Sequence, residues 1–389
     1  MTPVTRRRLF GRAHSLEAAG LLLAVLVAAA FLVWGTRMGR AGAGSANPAW
    51  PAGSGSLVAW RAADGALTAR VTASAGVATD SSLGAGNDVR LIAGGPRPVV
   101  LVTGAEGGHR LLRYTPAARA WATLAASLDP RDLTSAAMAG GLAYVPVGAG
   151  GQAAVLAVRA DGAVVARFAL PVLEPDPNAL LALPGQAAGS GSRKAGRGRV
   201  AALLVARGHV LALTATSLAA AITDLRTRVS VSLGGYTRIV AATVGGDGFV
   251  YILAGSADPA FTLRFLRIDP RTMRSLAAWD TGVAASSRPA WSLPTRFGAV
   301  FYSPGVPRSL DAESGTNIWL LDGGGARKNV AISSNVGVRM GPGASDSVLF
   351  YGEPAGAVVS RLDTDDGALS RAPARLAAPA GATVLLAAD

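Results

Sequence analysis

Short apolar runs broken by turn residues recur along almost the whole chain beyond residue 56. The stretch LLRYTPAARAWATLAASL (111–128) shows the form: an apolar segment, a tight turn, then a tryptophan opening a second apolar segment. The same form returns at 56–72, 154–170, 210–233, 263–279, 317–332 and 358–371. Runs this short, flanked by Gly, Pro and Asp, predict paired strands rather than helices. Asp-Gly pairs at 64–65, 161–162, 247–248, 322–323 and 366–367 supply the positive φ that tight hairpins need. Outside residues 15–36 a helical apolar period is almost absent.

Six of these hairpins are preceded by another apolar strand, at 97–104, 141–148, 199–206, 248–255, 298–305 and 347–352. Before each lies one more, often of small residues: 89–94, 134–140, 179–183, 237–244, 289–293 and 336–341. The first hairpin lacks leading strands, and the apolar segment 382–389 has no hairpin after it. The two ends therefore complete one another, 382–389 (with 374–378 as a possible companion) joining the first hairpin. Four-strand units repeating every 40–55 residues or so match the period of propeller blades. The expected fold is all-β: a seven-bladed β-propeller closed by N- and C-terminal strands, preceded by one transmembrane helix. Continuously apolar middle strands suit burial between neighbouring blades, and a closed ring leaves no long open edge. A β-sandwich with a second β domain is the competing architecture.

At one unit the pattern becomes more specific. Tyr114, Pro116, Trp121, Arg131 and Tyr144 stand where a kelch blade has its turn, tryptophan, arginine and tyrosine strand. The segment 113–148 thus resembles a kelch repeat, with Thr115 in place of the usual aspartate and the Gly150-Gly151 doublet arriving late. Residues 267–279 repeat only the turn and the tryptophan. The resemblance implies a β-propeller of kelch-like or quinoprotein type. The matching positions of Trp121 and Trp279, and of Trp60 and Trp319, imply packing between blades.

The N-terminal region follows a different rule. Residues 18–36 carry no charge and, as a helix rising about 1.5 Å per residue, would be about 28 Å long. Arg6, Arg7, Arg8 and Arg12 precede this run. The positive-inside bias predicts a cytoplasmic segment 1–17, an anchor at 18–36, a flexible Gly/Ala/Ser/Pro linker at 37–55 and an exported domain at 56–389. A cleaved signal peptide ending near Ala41-Gly42-Ala43 is the alternative, and also exports the domain.

Composition narrows the chemistry. The chain has no cysteine, so disulfides, thiolate metal sites and a cysteine nucleophile are excluded. Its three histidines, His14, His109 and His209, have no metal-ligand spacing. Net charge is +13, carried almost wholly by arginine. Those arginines are scattered and not interleaved with aromatics, so no nucleic-acid partner is expected. DTDDG (363–367) lacks the glutamate that ends a calcium loop. No catalytic set and no cofactor motif is identified, so no catalytic residue, metal or cofactor is expected.

Propeller connectivity groups Glu106, His109, Glu174, Asp176, Asp258, Arg308, Asp311, Glu313 and Glu353 at one end, the default ligand or partner face. Arg193, Lys194, Arg197 and Arg199, in the insertion 185–199, are expected at the other end. There they would be a solvated loop or a contact for anionic headgroups. The functional expectation is a non-enzymatic protein-interaction scaffold in a cell-envelope assembly, held to the membrane by its N-terminal helix. An exported glycan- or peptide-binding or hydrolytic propeller is the alternative.

Overall fold

The computed structural model describes residues 56–72, 76–94, 97–104, 108–127, 135–148, 153–175, 196–256, 262–284, 291–295, 298–304, 315–333, 338–343, 347–352, 358–363, 374–375, 378–379 and 382–388. These residues form strands and turns and no helix. None of their elements is a helix long and apolar enough to cross a membrane, and the segment 18–36 lies outside them.

Seven four-stranded antiparallel sheets and one two-stranded ribbon are present among the described residues. Sheet I contains Thr383–Ala388, Leu57–Arg61, Ala66–Thr72 and Ala78–Ala85, in that spatial order. Sheet II is Asp88–Ala93, Val99–Thr103, His109–Thr115 and Ala120–Ser127. Sheet III is Ala137–Ala139, Leu142–Val147, Ala154–Val158 and Val164–Ala169. Sheet IV is Arg199–Ala206, His209–Ala215, Ala220–Asp224 and Ser230–Ser232. Sheet V is Tyr236–Val244, Val250–Ser256, Thr262–Ile268 and Ser275–Ala284. Sheet VI is Trp291–Pro294, Ala299–Pro304, Gly315–Asp322 and Gly325–Ser333. Sheet VII is Val338–Gly343, Ser347–Gly352, Val358–Asp363 and Ala374–Arg375. The ribbon pairs Val172–Leu173 with Gly196–Arg197. Successive four-stranded meanders whose first strands lie beside one another make the architecture of a β-propeller.

Three assignments from the sequence are corrected. The fourth strand of sheet I is Ala78–Ala85, whose largely small and polar residues, with only Leu83 buried, carry no continuous apolar signal. Ala374–Arg375 consequently closes sheet VII rather than sheet I. In sheet IV, Arg199–Ala206 is the first strand, not the second. It turns through Arg207 and Gly208, with φ of 48° and 81°, directly into His209–Ala215. That two-residue turn hides in an otherwise apolar sequence, and the expected strand 179–183 lies outside the described residues.

Packing follows the apolar pattern. In sheet V, Val250, Tyr251, Ile252, Leu253 and Ala254 are all fully buried, because alternate side chains enter the layers on both faces. One face joins Ile252 and Leu266 to Leu211, Leu213 and Ile222 of sheet IV. The other joins Tyr251 and Phe265 to Phe301 and Trp319 of sheet VI. There Phe265 lies 5.0 Å from Phe301 and 5.4 Å from Trp319 between ring centroids. The tryptophans are packing residues as expected: Trp60 and Trp319 are each 3% exposed. Trp121 packs against Tyr114 with the rings tilted at 58° and donates its Nε1 hydrogen to Ser81 Oγ of the preceding sheet, at 2.9 Å.

The turns between third and fourth strands recur in form. In Asp224–Arg228 and Asp269–Met273 the leading carboxylate accepts hydrogen bonds from the amide two residues on and from a threonine hydroxyl. Each turn ends on a left-handed residue, Arg228 (φ 60°) or Met273 (φ 55°), and Arg119 (φ 49°) ends the corresponding turn of sheet II. A side chain in that conformation costs about 1–2 kcal/mol, while glycine gives back about 0.5–1 kcal/mol through its freer unfolded state. Arg119 is exposed, so Arg119→Gly is expected to stabilise the domain by up to about 1 kcal/mol in urea denaturation. Met273 is 4% exposed within the sheet IV–V core, so the same change there should destabilise instead.

Candidate functional site

Antiparallel alternation sends the second-to-third connections and the sheet-to-sheet connections out at one end, here called the loop end. First-to-second and third-to-fourth turns leave at the opposite, turn end. Short links, residues 86–87 between sheets I and II and 233–235 between IV and V, keep neighbouring sheets in step. Hydrogen bonds between turns confirm it: Arg207 Nη2 donates to Asp247 O at 2.9 Å and Gly246 N donates to Thr295 O at 2.8 Å.

At the loop end the structure places two of the residues expected there. His109 opens the third strand of sheet II, and Glu174 is exposed just beyond the ribbon. Glu106, Asp176, Asp258, Arg308, Asp311, Glu313 and Glu353 lie outside the described residues, as do Arg193 and Lys194. Arg197 is placed by its backbone, paired with Val172. Arg199, expected at the opposite end, begins the first strand of sheet IV and so sits at the loop end with His109 and Glu174. The insertion links two sheets rather than two strands within one, which reverses its end.

His109 is half-buried. Burial pushes its pKa below the usual histidine value, and the positive fields of Arg90 and Arg199 act the same way. Its Nδ1 atom is enclosed and makes no hydrogen bond with the described residues. Burial and the neighbouring cations thus both oppose protonation of the ring. In the first strand of the same sheet, two strands away, Asp88 carries Arg339 of sheet VII at 2.5 Å and Arg90 at 3.6 Å. Arg339 also donates to Leu385 O of sheet I at 3.0 Å. One guanidinium thus joins three successive sheets where the chain ends meet.

The turn end carries groups the sequence reading did not single out. Asp224, fully buried, accepts a hydrogen bond from His209 Nδ1 at 2.9 Å, from Thr227 Oγ1 at 3.0 Å and from Arg226 N at 2.9 Å. Burial opposes its ionisation, but those donors outweigh burial and hold the carboxyl below its usual range. An ionised carboxylate only accepts, so His209 carries its proton on Nδ1. Thr227 donates its own proton to the same carboxylate, so the imidazole does not activate it as a nucleophile. The signal available in sequence was the repetition of TDLRTR in IDPRTMR, aspartate first and threonine three later.

Next to this pair, Asp247 accepts hydrogen bonds from Tyr251 Oη at 2.8 Å and Arg267 Nη2 at 3.1 Å. Burial, reinforced by that carboxylate, raises the Tyr251 phenol well above its usual pKa. The Arg207 and Arg267 guanidinium carbons lie 4.3 Å and 3.8 Å from the centroid of the Phe249 ring. Two cations on one aromatic ring, balanced by Asp247, tie sheets IV and V together at this end. No group of three or more His, Asp or Glu residues with metal-binding geometry occurs among the described residues.

These features define the class as a β-propeller. No protein-family model and no curated protein matches the sequence. Solved structures do resemble it. A Bacteroides uniformis protein provisionally described as a 6-phosphogluconolactonase superposes with a TM-score of 0.53 at 11% identity, over 85% of this chain and 98% of that one. The β-propeller domain of the Trilobed protease from Pyrococcus furiosus gives a TM-score of 0.38 at 12% identity, over 60% and 69% of the two chains. TolB from Acinetobacter baumannii gives 0.42 at 9% identity, over 86% and 66%. At these identities the likeness concerns the fold alone.

Proposed function

We propose that this chain is a single-pass membrane protein whose exported propeller, seven-bladed and closed by its terminal strands, is a non-enzymatic interaction platform in a cell-envelope assembly. The observation that carries the reading is the union of an uncharged 19-residue run flanked by arginines with a β-propeller. A rigid propeller displays many loops at one end, and loops on rigid scaffolds are where binding residues gather. Closure is supported by the pairing of Thr383–Ala388 with Leu57–Arg61 and by first strands that neighbour one another from sheet to sheet. The kelch-like or quinoprotein-type kinship rests on the single unit around Tyr114 and Trp121. A platform role also fits the His209–Asp224 pair, whose polar groups serve a turn. The second reading, an exported propeller that binds or hydrolyses a glycan or peptide, draws on His109, an imidazole at the loop end whose protonation burial, Arg90 and Arg199 oppose.

The test is purification of the full-length protein from native membranes after gentle crosslinking, with partners identified by mass spectrometry. Resistance to alkaline extraction and recovery of a stoichiometric envelope partner are expected. Extraction by alkali would remove the anchor, and recovery of the protein alone would remove the platform role.

A further inference from the structure

We propose that the turn end of the propeller is a docking surface for an anionic membrane. The argument begins where the chain enters. Leu57 pairs with Ala388 at the turn end, so the linker 37–55 joins the domain there. On the anchored reading of the proposed function, nineteen residues separate the anchor from this end, and a Gly/Ser-type linker of that length has a root-mean-square reach of about 22–26 Å.

The residues at that end suit such a surface. On the adjacent sheets IV and V the turns between third and fourth strands present Arg226 and Arg228, then Arg271 and Arg274, all exposed. Of the carboxylates leading these turns, Asp224 is buried, and Asp269 accepts hydrogen bonds from Arg271 N and Thr272 Oγ1 of its own turn. Exposed apolar residues come next, Val229 at 50% immediately after Arg228 and Leu276 at 51% two residues after Arg274. Sheets I and III add exposed aliphatic side chains at the same end, Val77 at 53% and Val164 at 57%, beside their third-to-fourth turns. Scattered exposed aliphatic side chains are ordinary on a protein surface, so it is their placement beside the arginine-bearing turns at one end that points to a docking face. Arginines interleaved with exposed aliphatic side chains match a headgroup layer, where the cations meet lipid phosphates and the apolar tips enter the acyl boundary. The proposal rests on the anchored reading for the proximity of the membrane, and on the surface itself for the docking.

The absence of native cysteine makes the test direct. Full-length protein carrying Val229→Cys or, as a loop-end control, Glu174→Cys is labelled with a fluorophore. It is reconstituted with vesicles of phosphatidylcholine alone or mixed with phosphatidylglycerol, each containing a shallow spin-labelled lipid. Quenching at 229 in the mixed vesicles only, none at 174, and release of quenching at high salt are expected. The variant R226E/R228E/R271E/R274E should lower the docked fraction by more than about tenfold, since each arginine near such a surface is worth about fivefold. The milder R226Q/R271Q guards against misfolding of the charge-reversed chain. Equal quenching at both positions, or none at 229 in mixed vesicles, overturns the docking surface. Failure to float with neutral vesicles overturns the anchor instead. Flotation with anionic vesicles and quenching at 229 would then support docking alone, and flotation with neither would remove both.

Discussion

Deletion of residues 382–389 is expected to abolish cooperative folding of the propeller. The strand Thr383–Ala388 supplies Val384, Leu385, Leu386 and Ala387, which are 2%, 1%, 4% and 1% exposed. Its two faces belong to different cores. Leu385 and Leu386 join the layer that includes Leu67, Val89 and Val100, while Val384 and Ala387 pack with Val58 and Trp60. Burying a Val or Leu side chain contributes about 1.5–3 kcal/mol, so the three largest alone approach the whole stability of an ordinary domain, roughly 5–15 kcal/mol. The deletion also strips the ladder from Leu57–Arg61 and removes the carbonyl that Arg339 binds beside Asp88. Calorimetry should show no sharp transition, and a synthetic peptide of residues 382–389 added in trans should restore one. A truncated chain melting at the full-length midpoint would show that this strand is dispensable.

Replacing Asp224 is expected to have the largest effect of any single polar substitution at the turn end. Asp224→Ala leaves the His209 Nδ1 hydrogen, the Arg226 amide and the Thr227 hydroxyl without their shared acceptor. Hydrogen bonds to a charged group contribute about 1.5–3 kcal/mol each, and these groups are partly open to water, so a loss of about 3 kcal/mol is expected. Asp224→Asn keeps one acceptor oxygen and should lose roughly half as much. The pH dependence distinguishes the charge from the shape. The folded pKa lies below the unfolded one, so the ionised carboxylate contributes its stability in full above the unfolded value, about 4. That contribution fades as pH falls through the folded value. Urea denaturation should therefore show wild type and Asp224→Asn converging in acid and diverging toward neutrality. A constant difference across that range would mean the ionised form is not what holds the turn.

The strands were legible in sequence wherever both faces are buried. Segments such as VYILA (250–254) and AVF (299–301) are apolar throughout because neighbouring sheets cover them on both sides, and their shortness and flanking turn residues mark them as strands. Outer strands were not. Ala78–Ala85 presents Asp80 and Ser82 to water and is held by its ladder to Ala66–Thr72 and by Arg70, which binds Asp80 at 2.6 Å. Only Leu83 of this strand enters the core, too little apolar pattern to mark a strand, and the ladder its neighbour needs is not written in its own residues. The expected site set met the same limit. His109 and Glu174 could be assigned to an end by counting strands, whereas Arg199 was assigned wrongly because one two-residue turn was uncounted. Asp224 was invisible for another reason: an aspartate ending an apolar run reads as a solvated turn, and only folding brings His209 against it.

By itself, then, the sequence determined an all-β chain of repeated antiparallel units, its short connections and the residues that fill its layers. These are consequences of local geometry: period-two burial, turn chemistry and the exclusion of water from apolar strands. Tertiary structure alone decided which strand ends lie together. It brought Thr383–Ala388 to Leu57–Arg61, set Arg339 across three sheets, and gathered the arginines of successive turns onto one rim. Those pairings join residues far apart in the chain, and their energy depends on closing the sheets against one another, a property no single segment carries.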